Sequence, residues 1–144
     1  MKKFKFSKID HILSDAKKGK MFVLLDDESR ENEGDLIIPA VKASAKSINF
    51  MAKHGRGLIC LALTQSQVNK LNLSLMSATN KSRTQTAFTV SIEARKGVTS
   101  GISVHDRART IKTAIKKSAS PKDIISPGHV FPLVSKNGGV LVRA

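Results

Sequence analysis

Short strand-like runs bounded by turn residues constrain this chain more than any other feature of its sequence. They occupy residues 21–25, 36–38, 58–63, 87–92, 130–134 and 140–142. Between them lie stretches whose apolar residues recur at helical spacing. Ile9, Ile12, Leu13 and Ala16 precede Gly19, Ile48, Met51 and Ala52 follow a capping Ser44, and Ala108, Ile111, Ala114 and Ile115 sit within residues 107–117. Thr64 or Ser66 can start a further short helix through Val68 and Leu71, and Ser120-Pro121 ends the late helix or caps a brief turn. Such alternation predicts an α+β fold with a mixed sheet. With 144 residues, no repeat and no flexible linker, residues 1–144 form a single domain. No apolar run approaches the roughly 20 residues of a membrane span, and the basic N-terminus lacks a leader-like apolar stretch, so a cytoplasmic protein is expected.

A formal charge of +14 raises the possibility of a basic nucleic-acid-binding domain. The basic residues are scattered, however, without zinc-finger spacing or aromatic interleaving, which argues against that class. The single cysteine, Cys60, excludes an internal disulfide, and its place in the apolar run 58–63 predicts a buried thiol.

Acidic residues are far less evenly spread. Six of the eleven lie between Asp26 and Asp35, just beyond a strand expected to be buried. In an extended segment Glu31, Glu33 and Asp35 would share one side, because strand side chains alternate. Converging carboxylates suit Mg²⁺ or Mn²⁺, and one left outside the metal shell can serve as a base. Arg30 could hold a phosphate or carboxylate bidentately. The same composition also describes a solvated acidic turn.

His129, in the loop signal Ser126-Pro127-Gly128-His129, is either an acid–base imidazole on a rigid turn or a packing histidine. His105 could be oriented by Asp106, or Asp106 could be a helix N-cap. Thr99-Ser100-Gly101 and Thr84-Gln85-Thr86 are hydroxyl-rich turns able to donate to phosphate oxygens. With the arginines they favour a small phosphorylated substrate over a polymer. His11 and His54 carry no constellation.

The run Leu25-Asp26-Asp27-Glu28-Ser29-Arg30-Glu31-Asn32-Glu33-Gly34-Asp35-Leu36 closely resembles the signature loop of the 3,4-dihydroxy-2-butanone-4-phosphate synthase family. His54-Gly55-Arg56-Gly57, Thr86-Ala87-Phe88-Thr89-Val90, Gly97-Val98-Thr99-Ser100-Gly101, Asp106-Arg107 and Pro127-Gly128-His129-Val130-Phe131-Pro132 match in order. The resemblance implies a layered α/β/α sandwich and a homodimer with its site at the subunit boundary. It also implies a lyase of riboflavin biosynthesis that converts D-ribulose 5-phosphate to the four-carbon phosphate and formate. Enolisation, loss of water, skeletal migration and release of formate would need Mg²⁺ or Mn²⁺ and no organic cofactor.

By the same resemblance Glu31 is a metal ligand, Glu33, Asp35 and His129 are catalytic, and Arg30, Asp35, Thr99, Ser100 and Arg143 bind substrate. His129 would reach the site across the dimer interface. Departures accompany the matches. Thr84-Gln85 stands where the family has a histidine or tyrosine followed by glycine, Arg109 where threonine is common, and Ser126 where arginine often precedes Pro-Gly-His. The family continues past the arginine matched by Arg143 with Gly-Gly-His-Thr-Glu-Ala, which holds a second metal ligand, and carries a catalytic glutamate further on. The resulting expectation is a C-terminally truncated synthase of impaired activity, or an inactive remnant that binds a sugar phosphate.

Overall fold

The computed structural model describes residues 5–29 and 31–139; Arg30, Arg143 and the strand expected at 140–142 lie outside the described residues. The first helix, α1, covers Ile9–Lys17 and is followed by Gly19 at φ +77°. A hairpin comes next. Strands β1 (Phe22–Leu25) and β2 (Gly34–Ile37) pair antiparallel, with Leu24 opposite Asp35 and Leu25 opposite Gly34. Strand β1 is not buried as expected: Val23 and Leu25 are exposed, alternating with half-buried neighbours. The acidic loop is therefore the tip of a two-stranded ribbon.

Helix α2 (Ala45–Phe50) starts where Ser44 and Ser47 close a reciprocal capping box, and it runs on into a π-helical turn at Met51–Gly55. The left-handed Arg56 ends that turn. Strand β3 (Cys60–Leu63) and helix α3 (Gln65–Lys70) follow, with Thr64 rather than Ser66 as the N-cap. The strand expected at 87–92 is realised only as two isolated bridges, Leu75 with Thr89 and Phe88 with Leu133. Ladder pairing begins at β4, Ile92–Ala94. Helix α4 spans Val104–Ala114, starting earlier than the apolar spacing suggested because Ser103 accepts from the Asp106 amide and caps it.

The loop signal at Ser126–His129 does not break the chain, since a single strand, β5, runs from Ile124 to Val134. It lies at the centre of a mixed sheet ordered β3-β5-β4, parallel to β3 and antiparallel to β4. Opposite β4 the register jumps: Ile92 pairs with Val130, yet Glu93 pairs with Ile125. The four residues 126–129 are thus the excess of a large bulge, which accommodates proline where a regular central strand would not.

One face of this sheet is the core. Leu61, Leu63, Ile92 and Val130 pack with Ile48 of α2, Val68 of α3 and Ala108, Ile111 and Ala114 of α4. Burying an aliphatic side chain of this size contributes about 1.5–3 kcal/mol. Thr110 bolts α4 to the sheet, because its buried hydroxyl accepts from the Ala94 amide at 3.0 Å and donates to the Asp106 carbonyl at 2.9 Å. By alternation the opposite face carries Cys60, Ala62, Glu93, Phe131 and Leu133, which are half-buried or exposed.

Candidate functional site

The acidic ribbon is organised by its own backbone. Asp26 accepts from the Glu31 amide at 3.1 Å and the Glu33 amide at 2.8 Å, while its own amide donates to the Glu33 carbonyl at 3.2 Å. Asp27 accepts from the Ser29 hydroxyl and amide, which hold its carboxyl below the usual range. Asn32 takes a left-handed φ of +52°, so residues 31–35 are not one extended run and the expected alignment of three carboxylates fails. Glu33 and Asp35 keep the two-residue spacing; Glu31, half-buried, sits in the turn before them.

Among the described residues no group of three or more histidine, cysteine, aspartate or glutamate side chains converges on a metal position. The donor set of the ribbon is nevertheless all oxygen. That fits Mg²⁺ or Mn²⁺, since Mg²⁺ in particular takes one or two carboxylates and keeps much of its water.

Cys60 corrects a second expectation. It is exposed on the open face of β3, not buried, because only Leu61 and Leu63 of that strand point into the core. Partial desolvation first, and the Asp35 carboxylate second, push its thiol up to about 11. The Asp35 side chain of the ribbon thus lies near enough to Cys60 for its charge to be felt at the thiol. The ribbon also lies close to the π-helical turn that follows α2, where a Cβ on Gly55 would lie 3.2 Å from the Leu36 side chain of β2.

On the same face His129 leaves the bulge of β5 with its Nδ1 in hydrogen-bonding contact with Glu93 Oε1 of β4. The Glu93 side chain is only 14% exposed, the histidine 42%. Sequence reasoning missed Glu93 as a functional residue, although it is one of only three acidic residues after Leu36 and stands between apolar Ile92 and Ala94.

The Thr99–Gly101 turn lies over Glu93. Gly101 is buried at φ +79°, and a Cβ there would run into the Glu93 carboxylate. Beneath the turn is Asp106, which is 5% exposed and accepts from the amides of Thr99 (3.1 Å) and Gly101 (3.0 Å) and from the Thr99 hydroxyl (3.1 Å). Burial works against its ionisation, but these hydrogen bonds, with one from Ser103, outweigh burial and hold the carboxyl below its usual range. Asp106 is therefore neither the N-cap of α4 nor a partner orienting His105. It also engages the donors that Thr99 was expected to offer a phosphate. His105 faces elsewhere, lining a cavity of about 290 Å³ with Ser44, Arg109 and Lys112.

Comparison with known proteins places the chain in a family. The family model for 3,4-dihydroxy-2-butanone 4-phosphate synthase matches residues 10–144. A protein of that name from Photobacterium phosphoreum is 54% identical over 96% of this chain, and one from Pseudomonas aeruginosa is 53% identical over 94%. These alignments cover 38% and 37% of the two relatives, so the chain spans less than half their length. A crystal structure of a 3,4-dihydroxy-2-butanone 4-phosphate synthase in complex with two magnesium ions superposes with a TM-score of 0.91 at 42% identity. It covers 96% of this chain and 64% of that one. A two-domain synthase from A. baumannii gives a TM-score of 0.87 at 45% identity, covering 94% of this chain and 40% of its own. Because the family model spans residues 10–144 and the fold superposes on that of a solved member at 42% identity, the chain belongs to the 3,4-dihydroxy-2-butanone 4-phosphate synthases.

Proposed function

We propose that this chain carries the catalytic machinery for converting D-ribulose 5-phosphate to 3,4-dihydroxy-2-butanone 4-phosphate and formate, a lyase step of riboflavin biosynthesis, in the cytoplasm and as a homodimer. The supporting observation is the Glu93–His129 pair beside the bulge of β5, a largely covered carboxylate holding an accessible imidazole, with the Asp35 carboxylate of the ribbon acting on Cys60 of the same sheet. Carboxylates and an imidazole on one surface are the groups an enolisation needs, because a proton must leave one carbon and others must return to oxygen. Glu33, Asp35 and His129 carry those protons.

Glu31 would hold Mg²⁺ or Mn²⁺, whose chemistry when bound is to polarise the oxygens of the sugar phosphate. Arg30, Asp35, Ser100 and Arg143 contact the substrate. Thr99 serves the same site by fixing the turn through Asp106, since its own donors point inward. The test is formate release from D-ribulose 5-phosphate by the purified chain with Mg²⁺, against an EDTA blank and a Glu31→Ala control. Metal-dependent release that falls about 100-fold in the control is expected. Absence of release from folded protein would overturn the assignment of activity to this chain.

A further inference from the structure

We infer that Glu93 is a positioning residue for His129: it fixes Nδ1 as the protonated ring nitrogen and leaves Nε2 as the atom that exchanges protons. The inference rests on reading His129 as a proton-transfer group. The contact lies between Nδ1 and Glu93 Oε1, so the carboxylate favours the tautomer whose proton is on that nitrogen. A neutral imidazole protonated at Nδ1 has its lone pair at Nε2, the distal ring nitrogen. The histidine is 42% exposed while the glutamate is 14% exposed, so the carboxylate backs a ring that itself remains accessible.

Glu93 has little freedom to do otherwise. It sits on β4 between the buried Ile92 and Ala94, and Ala94 is tied to α4 through Thr110. Gly101, without a side chain, lets the Thr99–Gly101 turn close over the carboxylate. Asp106 in turn holds that turn by three hydrogen bonds to a buried carboxylate. Gly128 does the same for the histidine's strand, because a Cβ there would press on the backbone of Ile92 and Glu93. Each group around the pair thus limits the motion that would separate it. A carboxylate that orients an imidazole without itself exchanging a proton with substrate is a familiar device in acyl transfer; here it would serve a carbon acid.

Proton–nitrogen correlation spectra of the isotope-labelled chain at about pH 8, where imidazole is neutral, report the tautomer of each histidine directly. His129 is expected as the Nδ1–H form. In Glu93→Ala it should change to a mixture dominated by Nε2–H, while His11, His54 and His105 stay as they were. If that variant does not fold, Glu93→Gln keeps the shape and removes the charge. The ratio of Nδ1–H to Nε2–H should then fall about fivefold, as expected when a charge-assisted hydrogen bond becomes neutral. A His129 spectrum unchanged in the folded variant, or an Nε2–H form in the parent chain, would overturn the inference. The readout does not depend on turnover. If the tautomer changes as expected and His129→Gln leaves formate release intact, the positioning contact stands and the catalytic role of His129 falls.

Discussion

Gly128→Ala tests the packing that places His129 beside Glu93, and the structure gives its size. A Cβ at residue 128 would lie within 2.5 Å of Ile92 C and O and Glu93 N, where ordinary contact begins at 3.4 Å. All three atoms are backbone, so no side chain can swing aside and β4 must retreat from β5 by about 1 Å. Overpacking of this kind costs roughly 1–3 kcal/mol. Losing one or two ladder hydrogen bonds beside the bulge adds about 1 kcal/mol each. Alanine returns about 0.4–1 kcal/mol by restricting the unfolded chain, which leaves a net loss near 3 kcal/mol. For a chain of this length that lowers Tm by about 10 °C, or the urea midpoint by about 1.5 M at a typical slope. Thermal and urea unfolding followed by circular dichroism measure both. A midpoint within about 0.3 M of the parent would refute the argument, because it would mean β4 and β5 are not in the close contact described.

Cys60 should alkylate slowly: with its thiol near 11, only roughly 0.1% is thiolate at about pH 8, against about a quarter for an ordinary thiol. The greater nucleophilicity of a more basic thiolate returns about tenfold, so iodoacetamide should react about twentyfold slower than with a free cysteine. A parent chain reacting at the free rate would contradict the desolvation of the thiol; Asp35→Asn should speed the reaction by removing the like charge, and no change in that variant would contradict the proximity of Asp35 to Cys60. Asp106, held below its usual range, contributes stability that is present at neutral pH and is lost as the pH falls through its folded value, below about 4. Acid unfolding followed between about pH 5 and pH 2 should therefore be shallower in Asp106→Asn, which lacks that titration, and parallel curves would count against it. Ser103→Ala removes the cap of α4 and should cost about 1 kcal/mol in urea unfolding, with no loss at all arguing that α4 starts elsewhere.

The helices were legible in the sequence because their signals are local. Ser44, Thr64 and Ser120 cap, and Gly19 ends, the elements that their local patterns predict. Features that depend on a partner far along the chain were not. The run 58–63 is apolar on both faces, so period-two reading could not tell that Cys60 faces outward; only the helices packed against Leu61 and Leu63 decide that. The Pro-Gly pair reads as a loop in isolation, and it becomes part of β5 because β3 and the outer residues of β4 pair on either side of it. Alternation across Glu31, Glu33 and Asp35 assumed an extended backbone, which Asn32 abandons for a left-handed turn. Gln85 stands at φ +49°, so the glycine that the resemblance leads one to expect there would suit a backbone conformation that favours glycine.

Glu93 shows most clearly what a motif conceals. Its partner His129 is 36 residues away, and nothing in the neighbourhood of either residue announces the other. Yet two separate sequence signals converge on it once the fold is known. Gly101, in the Gly-Val-Thr-Ser-Gly run, is required because a side chain there would enter the Glu93 carboxylate. Gly128, in Pro-Gly-His, is required because a side chain there would push β4 away. Glycines in motifs 27 residues apart thus answer to one residue, the first admitting its carboxylate beneath a turn and the second letting a bulged strand close on its backbone. The functional group was hidden because its requirement was written in the residues that must have no side chain around it, rather than in the residue itself.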